Sequence, residues 1–422
     1  MSGLSLKTYR WVLRAIVEIL DIFPPRKFEK EEFALRKGQF ELTTPIPDDG
    51  TIWIHGASLG EVITLRPFYR KLAELYGRDS LVATATTMDG LRQLRKDNIC
   101  AHVTLLPIEL PSILNPFLTK IKPKVLLISE TEIWPLLLST LSTKKIPYGI
   151  INGRINEKSV RMMKIMWSLF KKSIENISFV FPQEKHYERR FKILGVTPAK
   201  LSTLGCLKYD MAQDVPDVVE LRKSYNVPHH RKIICFGSTH PGEEEMILDA
   251  MEPIWSELNA TIIIAPRHLK RVPEVEKLLN DRSLDYSKLS ENVSTVRHVL
   301  LVDTLGELRN LYAISSLAFV GGSLIKRGGH NIMEPVAYNV SVITGPHTFN
   351  FRYEIMALKK AKGVFVVNNR GELFNVISDW MSDPEPFVKM GLRAKEALSA
   401  MSGTTLRTIN KIKELGFLKD GK

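Results

Sequence analysis

Short apolar runs of strand length alternate with helix-like segments along almost the whole chain, and this alternation limits the possible folds more than any other feature. Strands that alternate with helices predict an α/β fold with parallel, doubly wound sheets, because each helix returns the chain across its sheet. The alternation stops near residues 210–226, where MAQDVPDVVE is typical of a linker, and then starts again. We therefore expect two Rossmann-like domains that face a central cleft, with ligands bound at the carboxyl ends of the strands. The predicted strands are residues 51–55, 80–85, 124–129, 147–151, 177–181, 232–236, 261–265, 299–302, 317–320, 340–344 and 363–367.

Size, charge and cysteine content narrow the class of protein. The 422 residues are enough for two domains, and the net charge of +13 suits nucleic acid, an anionic membrane or a phosphorylated substrate. The sequence has no RNP-like aromatic motif, zinc-finger spacing or basic tail, which argues against nucleic acid. Cys100, Cys206 and Cys235 are far apart and form no CxxC pair, so neither a disulfide framework nor a zinc site is expected.

The N-terminal segment, residues 1–25, predicts an amphipathic helix that ends at Pro24 and Pro25. Its charged side chains recur every three or four residues and share one helical face, while apolar side chains cover the rest. These charges argue against a transmembrane span, which needs about 20 residues with few charges. A wide apolar face beside basic residues is typical of a helix that lies in a membrane interface. The alternative is a helix packed on its own domain.

Two glycine pairs lie in the strand–turn–helix–strand unit between residues 317 and 344. Gly321 and Gly322 follow an apolar strand, whereas the second pair precedes Asn331, which is spaced to cap a helix with Glu334. Such a unit predicts an anion site, since glycines let backbone N–H groups approach a phosphate closely. The alternative is an ordinary turn with a capping box.

Carboxylates follow two predicted strands of the first domain. Glu61 lies in HGASLGE, directly after strand 51–55, where a carboxylate could act as a general base. Ser58 and Glu61 are also spaced as a capping box, which would leave Glu61 without a chemical role. Glu130 and Glu132, in SETEIWP, end strand 124–129 and could orient a base or bind sugar hydroxyls. The alternative is that they only face a helix dipole.

Three further polar turns follow predicted strands of the second domain. They are GSTHPGEE at residues 237–244, PRH at residues 266–268 and DTLGEL at residues 303–308. Arg267 would supply an always-charged donor fork for a phosphate. Because these turns follow strands of one parallel sheet, we expect them to converge on one anion-binding pocket.

In this order and spacing, the motifs HGASLGE, SETEIWP, INGRINEKS, LGCLKYD, GSTHPGEEE, PRH, DTLGEL and GGHNIMEP resemble those of the 3-deoxy-D-manno-octulosonic acid (Kdo) transferase family of lipopolysaccharide synthesis. The resemblance extends from about residue 37 to about residue 387. It implies an inverting GT-B glycosyltransferase that moves Kdo from CMP-Kdo onto a lipid A precursor, lipid IVA. It also implies a peripheral or N-terminally anchored enzyme on the cytoplasmic side of the bacterial inner membrane, with no metal ion or other cofactor.

The resemblance also implies roles for individual residues. Glu61 matches the catalytic base, and Lys208 matches a lysine that steadies developing charge. Glu130 is preferred as the essential second acid, although the resemblance does not separate it from Glu132. The expected contacts to CMP-Kdo are Pro266, Arg267, Gly306, Glu307, Leu308, Asn331, Ile332, Met333 and Glu334.

The expected division is an acceptor-binding domain at residues 37–210 and a donor-binding domain at residues 225–415. Two rival interpretations remain open. One is a GT-B glycosyltransferase that uses another nucleotide sugar, such as a UDP-hexose, and a screen of donors would separate it. The other is a non-catalytic protein that docks on anionic membranes and binds nucleotides, and product formation on an acceptor lipid would exclude it.

Overall fold

The structure is a computed structural model that describes residues 5–22, 30–211, 217–228, 230–291 and 298–419. The chain divides into two compact units: unit 1 comprises Met1–Ala212 with Met401–Lys422, and unit 2 comprises Gln213–Ala400. The predicted helix end at Pro24 and Pro25 lies outside the described residues, as do residues 212–216 of the predicted linker.

Unit 1 is built on a parallel sheet of six strands within the described residues. The strands are β1 (Thr51–His55), β2 (Leu81–Ala85), β3 (His102–Leu105), β4 (Pro123–Ser129), β5 (Tyr148–Gly153) and β6 (Phe179–Pro182). Their order across the sheet is β3-β2-β1-β4-β5-β6, and every neighbouring pair is parallel. This is the strand order of a Rossmann sheet.

Helices connect and flank these strands, and cover both faces of the sheet. They are α1 (Leu6–Ile22), α2 (Lys30–Arg36), α3 (Leu59–Thr64), α4 (Arg66–Tyr76), α5 (Met88–Asp97), α6 (Pro111–Ile121), α7 (Pro135–Thr143), α8 (Glu157–Ile165), α9 (Trp167–Glu175) and α10 (Lys185–Leu194). Successive strand residues point to opposite faces, so Trp53 and Leu126 belong to one apolar cluster while Ile54 and Leu127 belong to another. The strands read as unbroken apolar runs because both faces are buried.

One side of α1 packs on unit 1. Val17 is buried in a small apolar cluster with Leu136. The hydroxyl of Tyr9 donates to the buried carboxylate of Glu109 at 2.6 Å, and the same carboxylate accepts the N–H groups of Leu136 and Leu137 at 2.8 and 3.0 Å. Packing on its own domain, the alternative interpretation of this helix, therefore holds for this side. Within the described part of the chain, no helix combines the length and apolar character that a membrane crossing needs.

Unit 2 is built on a second parallel sheet, with seven strands in the described part of the chain. The strands are β7 (Lys232–Thr239), β8 (Ala260–Pro266), β9 (Tyr286–Lys288), β10 (Val299–Leu301), β11 (Leu317–Val320), β12 (Ser341–Thr344) and β13 (Phe365–Val366). Their order is β13-β12-β11-β7-β8-β10-β9. The order reverses between β7 and β11, because β7 continues to β8 on one side and β11 to β12 on the other.

Helices again connect and flank the strands of unit 2. They are α11 (Val218–Ser224), α12 (Glu243–Met251), α13 (Val272–Asp281), α14 (Leu308–Ala313), α15 (Met333–Val336), α16 (Arg352–Lys360), α17 (Arg370–Ser382) and α18 (Glu385–Met401). The prediction of a linker is wrong for residues 218–224, which form α11. Asp217 caps this helix by accepting the N–H groups of Val219 and Glu220 at 2.8 and 3.1 Å.

The C-terminal helix α19 (Thr404–Glu414) belongs to unit 1 and not to unit 2. The carboxylate of Asp210 accepts the N–H groups of Gly403 and Thr404 at 2.5 and 3.2 Å and also that of Thr405. The side chain of Ile409 completes an apolar cluster of unit 1. The expected end of the second domain at residue 415 therefore does not match the division, which falls near residue 400.

The predicted α/β class is confirmed, and every predicted strand is present. The ends of β1 and β11 fall at the predicted residues. Strands β3 and β9 were not predicted: they are only four and three residues long, and they contain polar residues such as His102 and Lys288.

Candidate active site

The carboxyl ends of β1 and β4 lie side by side in the sheet of unit 1, with His55 paired to Ile128. The strand order reverses between these two strands, since β1 continues to β2 and β4 to β5. Ligands of doubly wound sheets bind at such a switch point. The segments that follow β1 and β4 carry Glu61, Glu130 and Glu132. The fold therefore brings together the two acidic motifs of the first domain.

Glu61 caps the start of α3. The hydroxyl of Ser58 accepts the N–H of Glu61 at 3.3 Å and donates to its carboxylate at 3.0 Å. The other carboxylate oxygen accepts the N–H of Ala57 at 3.0 Å. The capping box predicted from the spacing of Ser58 and Glu61 is therefore present. It does not exclude chemistry, because the side chain is half-buried and each carboxylate oxygen retains a lone pair.

Glu130 and Glu132 extend the loop after β4. Glu130 has a φ of +57°, a left-handed conformation that residues with a side chain adopt uncommonly, and its N–H donates to Ile151 at the end of β5 at 3.1 Å. Burial, followed by the negative charge of Glu61, raises the pKa of Glu130, and Arg154 opposes the increase. The pKa of Glu132 rises to about 7, because of burial, Glu61 and Glu130, against an opposing contact with Trp134.

These perturbations mean that Glu61, Glu130 and Glu132 lie close enough to repel one another. Groups whose pKa is shifted by burial and by a like charge are typical of functional sites. Because the pKa of Glu132 is about 7, this cluster can take up and release a proton near neutral pH. It can therefore accept a proton from a hydroxyl group, which is the chemistry of a general base.

Arg154 also belongs to this site. It lies in the motif INGRINEKS, but no role was predicted for it. It follows β5 directly, is exposed, and is the cation that opposes the increase in the pKa of Glu130. Its position at a strand end was the signal that could have identified it. His55, the first residue of HGASLGE, does not belong to this acidic cluster. Its Nδ1 atom lies 2.9 Å from the hydroxyl oxygen of Thr84, and burial lowers its pKa to about 4.

Lys208 lies in a 3₁₀ turn, Leu207–Asp210, in unit 1. The N–H of Leu207 donates to the side-chain oxygen of Asn152, near the end of β5, at 3.1 Å. The ammonium of Lys208 lies 5.2 Å from the centre of the Tyr209 ring. The turn is therefore anchored at the same edge of the sheet as the carboxylates.

Unit 2 has a pocket of about 370 Å³ at the carboxyl edge of its sheet. It unites residues of the three predicted polar turns with residues of the glycine-rich unit, as expected. The predicted residues that line it are Arg267, Gly306, Leu308, Asn331 and Glu334. The sequence did not single out five other lining residues, two of which lie in the predicted motifs: Ser238, Arg309, Tyr312, Val320 and His330.

Four predicted donor contacts do not line this pocket. Pro266 is buried at the end of β8, and Ile332 and Met333 are only 2% and 7% exposed because they pack into the core. The carboxylate of Glu307 accepts the hydroxyl of Tyr225 at 2.5 Å. Their motifs identified the right loops, but these four side chains contact other parts of the protein and do not line the pocket.

The prediction that the first glycine turn offers free N–H groups to a phosphate is wrong. The carboxylate of Glu243 accepts the N–H groups of Gly322, Ser323 and Leu324 at 2.7, 2.9 and 3.0 Å. The helix that follows is also shorter than expected, since α15 has only four residues and begins at Met333. Its dipole is correspondingly small.

Glu334 lies near two arginines and the amide of an asparagine in the pocket of unit 2. The side chain of Asn331 donates to its carboxylate at 2.9 Å and accepts the N–H of Met333 at 3.2 Å. The predicted N-cap is one residue off, since Ile332 and not Asn331 is the N-cap residue of this short helix. Burial raises the pKa of Glu334, whereas Asn331, Arg309 and Arg267 oppose the increase. The pocket thus combines two arginines, which suit an anion, with a carboxylate, which suits hydroxyl groups.

Two stacked histidines lie beside this pocket, and one of them, His330, lines it. The Nε2 atoms of His240 and His330 lie 2.7 Å apart, and the rings stack with centroids 5.0 Å apart. Burial, with Arg267 as the next cause, lowers the pKa of His330 to about 4. Burial and neighbouring cations, Arg327 first among them, also lower the pKa of His240. The pair is therefore neutral at physiological pH, with one N–H shared between the two rings.

Comparison with known proteins first identifies the class. A solved glycosyltransferase from Rickettsia africae aligns with 87% of this chain and 99% of its own length, with a TM-score of 0.57 at 15% identity. At this identity the likeness shows the fold alone. Two Rossmann-like units with this architecture define the GT-B class of glycosyltransferases and related enzymes.

Sequence relatives then identify the family. A family model described as 3-deoxy-D-manno-octulosonic-acid transferase (kdotransferase) matches residues 29–211. The 3-deoxy-D-manno-octulosonic acid transferase of Haemophilus influenzae is 31% identical over 419 residues, covering 95% of each chain. A bifunctional glycosyltransferase/methyltransferase of Fusobacterium nucleatum is 33% identical over 85% of this chain, which spans 57% of that protein. The chain belongs to the Kdo transferase family of glycosyltransferases.

Proposed function

We propose that this protein transfers Kdo from CMP-Kdo onto a lipid A precursor, lipid IVA, in lipopolysaccharide core biosynthesis, with Glu61 as the general base. Family membership supports the transferred sugar and its CMP-linked donor. The observation that carries the catalytic assignment is the carboxylate cluster at the switch point of unit 1, where the pKa of Glu132 is raised to about 7.

The pocket of unit 2 supports the donor assignment. CMP-Kdo carries a phosphodiester and a sugar carboxylate, so its site needs cations and hydrogen-bond donors. Arg267 and Arg309 line the pocket, and Glu334 beside them can accept hydroxyl groups of the nucleotide ribose. The Nε of Arg309 donates to the hydroxyl of Tyr338 at 2.7 Å, which leaves its Nη atoms to meet the donor.

The reaction needs a base for the acceptor hydroxyl and stabilisation of the departing CMP. Glu61 takes the hydroxyl proton, and the oxygen attacks the anomeric carbon of Kdo from the face opposite CMP. The bond to the CMP oxygen breaks, and Arg267, with Lys208, balances the negative charge that develops there. Because protein cations supply this stabilisation, the proposal requires no metal ion.

A matched set of variants tests Glu61. Glu61→Gln removes the base and should lower turnover about 10²- to 10⁴-fold while CMP binding is unchanged. Because Glu61 also caps α3, Ser58→Ala is the control: it removes the capping hydroxyl, costs about 1 kcal/mol of stability, and keeps the carboxylate. Turnover of Glu61→Gln near the wild-type value, or equal losses in both variants, would contradict the assignment.

The second side of α1 supports an association with the membrane interface. At about 100° per residue, Trp11, Val12, Ile16 and Ile19 fall within one arc of about 140°, which faces away from Val17 and borders Tyr9 at its Ile16 edge. Trp11 and Ile19 are 72% and 58% exposed. The exposed basic residues Lys7, Arg10 and Arg14 lie between the two apolar arcs. An exposed apolar arc beside cations suits the interface of an anionic membrane, and we propose the cytoplasmic face of the inner membrane.

Vesicle binding tests this location. The double variant Trp11→Ser, Ile19→Ser should bind anionic vesicles about tenfold more weakly than the wild type, because two large apolar side chains leave the interface. Leu305→Ser removes an apolar side chain that is 81% exposed in unit 2, and serves as the control. Equal binding by all three proteins would contradict the role of α1.

A further inference from the structure

Glu243, in the first turn of α12, is completely buried at the carboxyl edge of the sheet in unit 2. Its carboxylate accepts four main-chain N–H groups. One oxygen accepts those of Ser323 and Leu324 at 2.9 and 3.0 Å, and the other accepts those of Gly322 and His240 at 2.7 and 3.0 Å. The carboxylate thus joins two loops that lie about 80 residues apart in the sequence.

This arrangement differs from an ordinary helix cap. A capping carboxylate bonds to N–H groups at the start of its own helix, whereas three of the donors to Glu243 belong to the turn after β11. Burial raises the pKa of Glu243, and the four N–H groups oppose the increase. A buried carboxylate is costly unless it is fully hydrogen-bonded. Here that condition is met only while both loops keep their positions.

The turn that Glu243 holds carries a wall of the pocket. The N–H of Gly329 donates to Gly322 at 2.8 Å, and the N–H of His330 donates to Gly321 at 3.2 Å. The ring of His330 then meets the ring of His240, which closes the network back to Glu243. His330 and the next residue, Asn331, line the pocket.

The network leaves little room for the turn to move. A Cβ atom on Gly321 would lie 2.3 Å from the carbonyl oxygen of Ser238, and one on Gly322 would lie 3.0 Å from the ring of His330. Gly322 also has a φ of +70°, which glycine adopts without strain. The backbone of the turn is therefore fixed from two sides, by contact with Ser238 and by the carboxylate of Glu243.

We propose that Glu243 is a positioning residue for donor binding, which holds the turn that sets the places of His330 and Asn331 in the pocket wall. The inference rests on the proposed function, because it takes this pocket as the site of CMP-Kdo. Polar groups that are fixed before binding need not be ordered when the nucleotide arrives, so the network lowers the cost of binding.

The adjacent residue provides a matched control. Glu244 is equally buried, but its carboxylate pairs with Arg271 at 2.6 and 3.2 Å and not with the turn. Glu243→Gln and Glu244→Gln therefore make the same chemical change at neighbouring buried sites. In Glu243→Gln, an NH₂ group faces two N–H donors that have lost their acceptor, and the turn must shift.

The experiment measures CMP binding to the full chain by calorimetry, together with KM and kcat for CMP-Kdo. Glu243→Gln should raise the Kd for CMP and the KM for CMP-Kdo at least about tenfold, with a much smaller change in kcat. Glu244→Gln should lower the melting temperature but leave the Kd within about twofold of the wild type. His240→Leu removes the contacts of this ring with His330 and His268 but keeps the main-chain bond to Glu243. It should also raise the Kd, and it extends the test should Glu243→Gln fail to fold.

The outcomes separate the inference from the proposed function. Wild-type protein that binds CMP, with equal affinities in Glu243→Gln, Glu244→Gln and His240→Leu, would overturn the inference alone. Wild-type protein that binds no CMP and transfers no Kdo would overturn the proposed function, and the inference with it. An increased Kd in Glu243→Gln and His240→Leu but not in Glu244→Gln would support the positioning role.

Discussion

Replacing Glu132 with glutamine should stabilise unit 1 above neutral pH and have little effect in mild acid. In the folded protein Glu132 keeps its proton up to about pH 7, because burial and the charges of Glu61 and Glu130 disfavour ionisation. In the unfolded chain the same group ionises near its ordinary pKa of 4.5. Between these values the folded state binds more protons, so the stability of the wild type falls as the pH rises.

The magnitude follows from the two pKa values of Glu132. Each pH unit between them corresponds to about 1.4 kcal/mol. The cost of the carboxyl group therefore reaches about 3 kcal/mol at pH 8 and stays below about 1 kcal/mol at pH 5. The Glu132 side chain is partly exposed, and solvent screens part of this electrostatic cost. We therefore expect Glu132→Gln to raise the free energy of unfolding by about 2 kcal/mol at pH 8.

Urea unfolding at pH 5 and pH 8, followed by tryptophan fluorescence, measures this gain. Four of the six tryptophans, including the buried Trp53, belong to unit 1, so the signal reports mainly on that unit. Glu74→Gln is the control, because Glu74 forms only an exposed ion pair with Lys71, which contributes about 0–1 kcal/mol. If Glu132→Gln changed stability equally at both pH values, or destabilised unit 1 at pH 8, the electrostatic reasoning would be refuted.

Three other predictions follow from single contacts. Gly321→Ala should cost about 1–3 kcal/mol of stability, because the new Cβ would lie 2.3 Å from the carbonyl oxygen of Ser238, and an unchanged melting temperature would exclude this. Tyr9→Phe should cost about 1–3 kcal/mol, because it removes the hydroxyl that donates to the buried carboxylate of Glu109; urea unfolding checks it, and a cost near zero would count against the contact. Arg267→Lys should weaken CMP binding about tenfold, because lysine lacks the donor fork; calorimetry measures it, and wild-type affinity would remove Arg267 from the site.

The sheets could be predicted from the sequence because burial leaves a local signature. Strands such as β4, covered on both faces, consist almost entirely of apolar residues, and each is followed by a recognisable turn. The signature fails where a strand is short or polar, as in β3 and β9. It also fails for α19, whose place in unit 1 depends on Asp210, about 190 residues away along the chain.

The sequence predicted where the candidate site lies in the fold, but not the hydrogen bonds that hold its loops together. Glu61 and Arg267 could be identified because each follows a buried strand, and strand ends of a parallel sheet share one edge. The role of Glu243 could not, since its partners lie about 80 residues away and its sequence context is that of an ordinary first helical turn. The left-handed backbone conformation of Glu130 could not be predicted either, because glutamate has no preference for a positive φ.

Transfer of labelled sugar tests the central claim most directly. Purified protein would be incubated with radiolabelled CMP-Kdo, formed in place, and a tetraacylated lipid A precursor, with and without EDTA. We predict labelled glycolipid in both reactions, and formation at least about a hundredfold slower with Glu61→Gln, because the protein supplies its own base and its own cations. Absence of product from folded protein with intact donor would contradict Kdo transfer and favour a GT-B enzyme that uses another nucleotide sugar, whereas product lost only in EDTA would contradict the metal-free mechanism.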